Sequence, residues 1–174
     1  DRKMAIIEEL YFALPIYIGN MAPIFAKKIN FLGYPISEKL FGENKTVRGF
    51  LSAIIASILF FYIQLYLYRF DIVKEISLVN YYEINVLLLG FLAGLGAITG
   101  DLVKSYFKRR RNIKPGDSWA PFDQLDFMIG SLLFLYPFVN LMMKSIVILL
   151  IVSPILHIAT NYTGYYLGIN KKKW

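Results

Sequence analysis

The chain has 174 residues, of which 57% are apolar, and it carries 19 lysines and arginines against 12 aspartates and glutamates, a net charge of +7. So high an apolar fraction excludes a disordered chain and exceeds that of an average soluble domain. The chain has no cysteine, which excludes a disulfide-stabilised scaffold. The composition therefore predicts a small, basic, all-α integral membrane protein.

Five apolar windows are long enough to cross a bilayer, because about 20 helical residues span its ~30 Å hydrocarbon core. We predict five transmembrane helices, over residues 7–26, 50–68, 84–101, 124–143 and 145–167, in a single domain that covers residues 1–174. The connections 27–49 and 102–123 then lie on the same side of the membrane as the C-terminus.

Two of the predicted spans have unusual compositions. The first contains Pro15 and Pro23, so we expect its helix to be kinked or broken. The third is rich in glycine, with two pairs at the small-xxx-small spacing that permits close contact between helices. These pairs are Gly90/Gly94 and Gly96/Gly100.

The basic residues predict the orientation. Fourteen of the 19 lie in segments 27–48, 104–114 and 171–173, which the five spans place on one face. By the positive-inside rule this face is cytoplasmic, the N-terminus is outside and the C-terminus is inside. Acidic residues divide evenly between the two sides, so the inner face carries +8 and the outer face −1.

Three carboxylates are expected at the inner ends of neighbouring helices. Asp101 ends the third span, where an unpaired carboxylate is costly, and Asp123 and Asp126 stand at i and i+3 where the fourth span begins. Helix capping explains one of the latter two at most. Three converging carboxylates need a cation between them, either nearby lysines or Mg²⁺, which prefers oxygen ligands.

Basic residues surround these aspartates. If the third helix continues, Lys104, Ser105 and Lys108 follow Asp101 on the same face. A purely structural interpretation is that Asp101 pairs with Lys104 or Ser105 at the end of the helix. The alternative is that the cations bind phosphate beside a metal site, which indicates nucleotide-dependent phosphoryl or nucleotidyl transfer.

A second group of candidate residues lies where the second span begins. Lys45, Thr46 and Arg48 stand between Gly42 and Gly49, at the predicted helix N-terminus, where backbone N–H groups bind anions. The segment is not a Walker A loop, because its first glycine lies too close to the Lys-Thr pair and no strand precedes it. Taken alone, these residues are equally compatible with ordinary cations at the membrane edge.

Five short motifs follow one another from the second predicted span to the fourth. They are Lys45-Thr46-Val47-Arg48-Gly49, Gly100-Asp101-Leu102, Ser105-Tyr106-Phe107-Lys108-Arg109, Lys114-Pro115-Gly116-Asp117-Ser118 and Asp123-Gln124-Leu125-Asp126-Phe127. Together they resemble the CTP-dependent phosphatidate cytidylyltransferase family, in its archaeal branch. Gln124 stands where the broader bacterial pattern has arginine, and Asp117 does not directly follow its lysine, which favours the archaeal branch.

The resemblance implies a reaction. CTP and the diether 2,3-bis-O-geranylgeranylglycerol 1-phosphate would give CDP-archaeol and pyrophosphate, in a polar active-site cavity on the cytoplasmic side of the cell membrane. It implies CTP, a lipid phosphate and the bilayer as partners and Mg²⁺ as cofactor, with no nucleic acid and no protein partner expected.

The resemblance also implies roles for individual residues. The catalytic residues would be Asp101, Lys108, Asp123 and Asp126, of which Asp101, Asp123 and Asp126 would hold the metal. The substrate-binding residues would be Lys45, Thr46, Arg48, Lys104, Ser105, Arg109, Lys114, Asp117 and Ser118. We expect His157 to be a hydrogen-bonded residue of the helix bundle, and a lateral lipid groove between the first and third spans with Asn20 at its polar end.

Two other functions are compatible with parts of this pattern. A CTP-dependent polyprenol kinase would also bind a magnesium nucleotide at a membrane site. An anion channel or transporter would use the basic face to attract its substrate, but the outer halves of the predicted spans carry few polar residues, which disfavours it.

Overall fold

The computed structural model describes residues 2–166, without the side chains of residues 2–5, 160–161 and 163–165. This part of the chain is built of α-helices and contains no β-strand; an isolated bridge pairs Pro35 with Thr46. The helices are α1 (Arg2–Ala26), α2 (Glu38–Phe41), α3 (Val47–Leu67), α4 (Asp71–Glu75), α5 (Val86–Arg110), α6 (Phe122–Leu135) and α7 (Met143–Tyr166). The predicted all-α class is confirmed.

Two of the described helices, α3 and α5, are both long and apolar enough to cross a membrane. The apolar part of α7, Met143–Ala159, is shorter than a full span. The number of spans and their orientation therefore stay predictions at this point. Residue 167, the predicted end of the fifth span, and Lys171–Lys173 lie outside the described residues.

Helix α5 is central to the bundle and packs against α1, α3 and α6. Gly90 and Gly94 face α3, and a Cβ at Gly94 would lie 2.6 Å from the Cα of Ile54. Gly96 faces α6, and a Cβ there would lie 2.6 Å from the carbonyl oxygen of Gly130. The backbones approach this closely because no side chain separates them, as the small-xxx-small spacing predicts.

Helix α1 continues through both of its prolines, so the expected break in the first span does not occur. Pro15 has no N–H to donate to the carbonyl of Tyr11, but Nε2 of Gln64 on α3 donates to that carbonyl instead. The hydroxyl of Ser57, also on α3, donates to the carbonyl of Pro15 at 3.0 Å. The neighbouring helix α3 thus satisfies the Tyr11 carbonyl that Pro15 leaves without a donor.

The C-terminal ends of α5 and α6 differ from the predicted ends of the third and fourth spans. Helix α5 continues past residue 101 to Arg110, which shortens the predicted loop 102–123. Helix α6 ends at Leu135 because Pro137 has no N–H to continue the hydrogen-bond pattern. Its 14 residues rise about 21 Å, so α6 by itself is shorter than the ~30 Å thickness of a hydrocarbon core.

The exchange Gln64→Leu should destabilise the bundle. It removes the donor to the Tyr11 carbonyl on α1 and the buried acceptor of the Tyr81 hydroxyl, which lies in the connection between α4 and α5. An unsatisfied buried group costs about 1–3 kcal/mol, so we expect a lower midpoint of thermal unfolding by circular dichroism in detergent. Tyr62→Phe, at an exposed position of α3, is the matched control and should leave the midpoint unchanged. An unchanged midpoint in Gln64→Leu would contradict this account of α1.

Candidate active site

One end of the bundle encloses a polar cavity of about 750 Å³. It is bordered by the C-terminal part of α1, the N-terminus of α3, the C-terminal third of α5, the first turns of α6 and the C-terminal half of α7. All the predicted site residues except Lys114 line it, namely Lys45, Thr46, Arg48, Asp101, Lys104, Ser105, Lys108, Arg109, Asp117, Ser118, Asp123 and Asp126.

The ammonium group of Lys104 lies between three carboxylates. Its Nζ is 3.0 Å from Oδ1 of Asp101, 2.9 Å from Oδ1 of Asp123 and 2.7 Å from Oδ2 of Asp126. These four side chains are largely buried, with exposed fractions of 6–16%. The structure therefore brings the three predicted aspartates together, and it does so around a lysine.

Two further lysines pair with the same carboxylates. Nζ of Lys45 contacts Asp101 from the N-terminal side of α3. Nζ of Lys108 donates to Oδ1 of Asp123 at 3.2 Å and to the backbone carbonyl of Asp117. Every carboxylate of the cluster has a lysine close by, which is what makes three buried negative charges tolerable.

Helix α5 positions one wall of the cavity. Because the helix continues past Asp101, the side chains of Lys104, Ser105 and Lys108 follow at i+3, i+4 and i+7 and lie on the face that lines the cavity. Ser105 and Lys108 are buried, with 4% and 7% of their surface exposed. The alignment on one face that the spacing predicts is thus observed.

The two aspartates of α6 do not cap their helix. The N-cap residue is Pro121, and no side chain bonds to the first free N–H groups. Asp123 accepts a hydrogen bond from the backbone N–H of Trp119, and Oδ1 of Asp126 accepts one from the N–H of Phe127 at 2.7 Å. Their remaining oxygens face Lys104, so helix capping does not explain why these residues are acidic.

The donor set can be tested against a divalent cation. Within residues 2–166, no group of three or more acidic or histidine side chains is arranged to hold a metal ion. Three carboxylate oxygens nevertheless lie within 3.0 Å of one cationic atom, and Mg²⁺ prefers such ligands. In this structure the ammonium group of Lys104 is the cation that lies between these oxygens.

The N-terminus of α3 opens on the same cavity. Thr46 is its N-cap, and Oγ1 accepts a hydrogen bond from the N–H of Gly49 at 3.2 Å, an interaction typically worth about 1 kcal/mol. The guanidinium group of Arg48 donates to the carbonyl of Ile29. The helix N-terminus and the neighbouring Lys45 make this wall favourable for an anion.

Arg109 has buried donors that no protein group uses. Its Nε and Nη1 are buried and make no hydrogen bond. Gly42, in the loop between α2 and α3, allows the guanidinium group to lie against the loop backbone. The φ of Gly42 is 88°, and a Cβ on this residue would lie 3.2 Å from Nη1 of Arg109. Unpaired charged donors in a buried position suit an anionic ligand, because they are costly otherwise.

The loop between α5 and α6 contributes Asp117 and Ser118 to the cavity but not Lys114. Lys114 is exposed on the loop surface, so its predicted role in substrate binding has no support from its position. The backbone carbonyl of Asp117 accepts the hydrogen bond from Lys108, which ties this loop to the cluster.

Residues outside the predicted set also line the cavity, among them Asn20, Gln124 and His157. Oε1 of Gln124 is buried without a hydrogen-bond partner, and its place between the two aspartates of α6 was a signal that could have found it. The ring of His157 lies 6.4 Å from that of Phe127, between centroids. No local pattern in α7 links His157 to the cluster, so only the tertiary structure reveals its position.

The cavity is accompanied by an apolar groove of about 420 Å³ between α5 and α6. We expected a lateral groove between the first and third spans, that is, between α1 and α5, and the groove that the structure shows lies elsewhere. Asn20, expected at the polar end of a lipid groove, lines the polar cavity instead.

Comparison with known proteins gives consistent matches over most of the chain. The family model described as "CarS-like: CDP-archaeol synthase" matches residues 3–174. The CDP-archaeol synthase of Methanospirillum hungatei is 36% identical in an alignment that covers 79% of this chain and 82% of the relative. The CDP-archaeol synthase of Pyrococcus furiosus is 33% identical in an alignment that covers 97% of this chain and 95% of the relative.

A solved structure has a similar fold. It is described as giving "structural insight into an intramembrane enzyme for archaeal membrane lipids biosynthesis", and it matches with a TM-score of 0.70 and 23% identity over 90% of this chain and 94% of its own. Given the match over residues 3–174, the chain belongs to the CarS-like family of CDP-archaeol synthases, which confirms the resemblance seen in its motifs.

Proposed function

We propose that the polar cavity is the site at which a cytidylyl group passes from CTP to a membrane lipid phosphate. Membership of the CarS-like family makes the chain a nucleotidyltransferase of archaeal lipid synthesis. The observation that supports this site is the cluster of three carboxylates around Nζ of Lys104, with further cations lining the same cavity.

The cations of the cavity suit two phosphate-bearing substrates. The lipid phosphate attacks the α-phosphorus of CTP and pyrophosphate leaves, so two anions must approach each other. Lys45, Lys108 and Arg109 reduce that repulsion, and the buried unpaired donors of Arg109 are suited to the triphosphate. A phosphate monoester is already anionic near neutral pH, so the reaction needs no strong general base and gives His157 no proton to transfer.

The metal assignment is part of the proposal. Asp101, Asp123 and Asp126 supply the oxygen ligands for Mg²⁺, which when bound neutralises the charge that develops on the departing phosphates. Lys104 holds the three carboxylates together in the absence of the ion. With those oxygens holding an ion, the ammonium group of Lys104 would be available to a substrate phosphate.

The helix ends that border the cavity support a topology of five membrane spans. They alternate along the chain: the C-terminal end for α1, the N-terminal end for α3, the C-terminal end for α5, the N-terminal end for α6 and the C-terminal end for α7. Five crossings in alternating directions produce this order. With the positive-inside rule, we propose five spans with the N-terminus outside and the cavity facing the cytoplasm.

The exchange Asp123→Asn should abolish lipid labelling by radiolabelled CTP in the presence of Mg²⁺. Loss of one of the three proposed metal ligands should lower the rate about 10²–10³-fold with the helical content unchanged, because the charge on the departing phosphates would be less well neutralised. Asp71→Asn, in an exposed ion pair with Lys74 on α4, is the control and should be fully active. Normal labelling in Asp123→Asn would overturn the assignment, and release of CDP instead of pyrophosphate would show a lipid kinase.

The exchange Lys104→Met tests the role of its ammonium group without measuring turnover. In the presence of EDTA, three buried carboxylates lose their shared cation, and the free energy of unfolding should fall by about 3–5 kcal/mol. Added Mg²⁺ should raise the unfolding midpoint more in the variant than in the wild type, because no ammonium group competes for the site. Lys74→Met is the control for loss of an exposed lysine. An equal effect of Mg²⁺ on both proteins would contradict the shared site.

The orientation can be tested with single cysteines, since the chain has none of its own. A membrane-impermeant maleimide should label Lys39→Cys only in inside-out vesicles and Asp71→Cys only in right-side-out vesicles, because both positions are exposed and lie on opposite predicted faces. Labelling of both positions from the same side would refute an odd number of crossings between them.

A further inference from the structure

The connection between α1 and α3 exposes large apolar side chains. Five of them lie within residues 29–40 and are exposed over 36–68% of their surface: Ile29, Phe31, Tyr34, Ile36 and Leu40. Single apolar residues are ordinary on a protein surface, but this concentration in one connection indicates contact with an apolar environment. We call the exposed side chains of residues 27–40 the loop surface.

The loop surface is also basic. Lys27, Lys28 and Lys39 are exposed and stand on both sides of the apolar residues in the sequence, against a single acidic residue, Glu38. Apolar side chains combined with lysines are typical of segments that lie in the interface of a bilayer. There the apolar groups enter the headgroup region, and the ammonium groups meet anionic lipid.

Hydrogen bonds hold the loop surface at the start of α3. The N–H of Arg48 donates to the carbonyl of Leu32 at 2.9 Å. The N–H of Val47 donates to the carbonyl of Tyr34 at 3.2 Å. The segment also begins directly after α1, so it is attached at two points where proposed spans enter the membrane. While these bonds hold, the loop surface must stay near the bilayer.

These features favour a lipid surface over a protein as the occupant. Ile29 follows the end of α1 by three residues, so a bilayer that surrounds α1 adjoins it. Burial of the apolar side chains there needs no additional partner. The three lysines complement the negative charge of anionic headgroups, whereas neutral headgroups would leave them without a counter-charge.

Arg48 connects the loop surface to the polar cavity. Its side chain lines the cavity, and its guanidinium group donates to the carbonyl of Ile29. Gly33 leaves room for this group, because a Cβ on Gly33 would lie 3.3 Å from Nη1 of Arg48. The position of the guanidinium group therefore depends on where the loop lies.

We propose that the loop surface docks on anionic lipid headgroups of the cytoplasmic leaflet and thereby holds Arg48 in the wall of the cavity. The docking depends on the proposed orientation alone, whereas its effect on the cavity rests on the proposed function. Docking restricts the loop to one position, so a larger fraction of the protein has Arg48 placed for the triphosphate. The apparent affinity for CTP rises with that fraction.

A fluorescent probe on the loop tests docking without measuring turnover. The chain has no cysteine, so Phe31→Cys can carry a single NBD group. In nanodiscs of phosphatidylglycerol, its emission should shift to shorter wavelength and be quenched by a lipid with a nitroxide near the headgroup. The exchanges Lys28→Gln and Lys39→Gln together, or about 1 M salt, should weaken the quenching.

The control probe is Lys114→Cys, which is exposed on the loop between α5 and α6 and should keep the emission typical of water. The same emission from Phe31→Cys would overturn the docking. Equal quenching of Phe31→Cys in phosphatidylglycerol and in phosphatidylcholine would also overturn it, because the lysines would then not select anionic headgroups.

Kinetics in phosphatidylglycerol nanodiscs test the link to the cavity. Phe31→Asp adds a charge that anionic headgroups repel, so KM for CTP should rise about 3-fold or more with kcat unchanged. Ile72→Asp, at an exposed position of α4, is the matched control and should behave as the wild type. An unchanged KM in Phe31→Asp would overturn the link to Arg48. Failure of the wild type to label any lipid from CTP would instead overturn the proposed function and leave the docking result intact.

Discussion

The structure depends on the ion cluster in which one ammonium group holds three carboxylates. Asp101 on α5 and Asp123 and Asp126 on α6 would repel one another in a largely buried position, and Lys104 lies within 3.0 Å of all three. Because the lysine and one aspartate come from α5 and the other two from α6, the cluster joins the ends of these helices. Lys45 extends the connection to the start of α3.

Close backbone contact is what allows the cluster to form. The glycines of α5 lie on two faces, so that α3 approaches on one and α6 on the other without intervening side chains. The reach of a lysine or aspartate side chain is short, and the charged groups meet only because the helix axes are close. The same glycines leave an apolar groove beside the cluster, so the polar cavity and the apolar groove share residues at their boundary.

Sequence reasoning succeeded where a single helix or a local spacing decides the outcome. The shared face of Asp101, Lys104 and Lys108 follows from helical periodicity alone, as does the close contact at the glycine pairs. Sequence reasoning failed where a residue distant in the chain determines the local structure. A kink or a break was expected in the first span because Pro15 has no N–H to donate to the carbonyl of Tyr11; the helix continues there, and Gln64 on another helix supplies a substitute donor.

Taken by itself, the sequence determined the all-α class, the family and twelve of the residues that line the cavity, because apolar windows, charge and short motifs are local properties of the chain. The tertiary structure alone decided that Lys104 lies between the three carboxylates, that Lys114 does not line the cavity and that His157 does. It also decided that the apolar groove runs between α5 and α6. These features depend on which helices are neighbours, and that is set by packing between residues far apart in the chain.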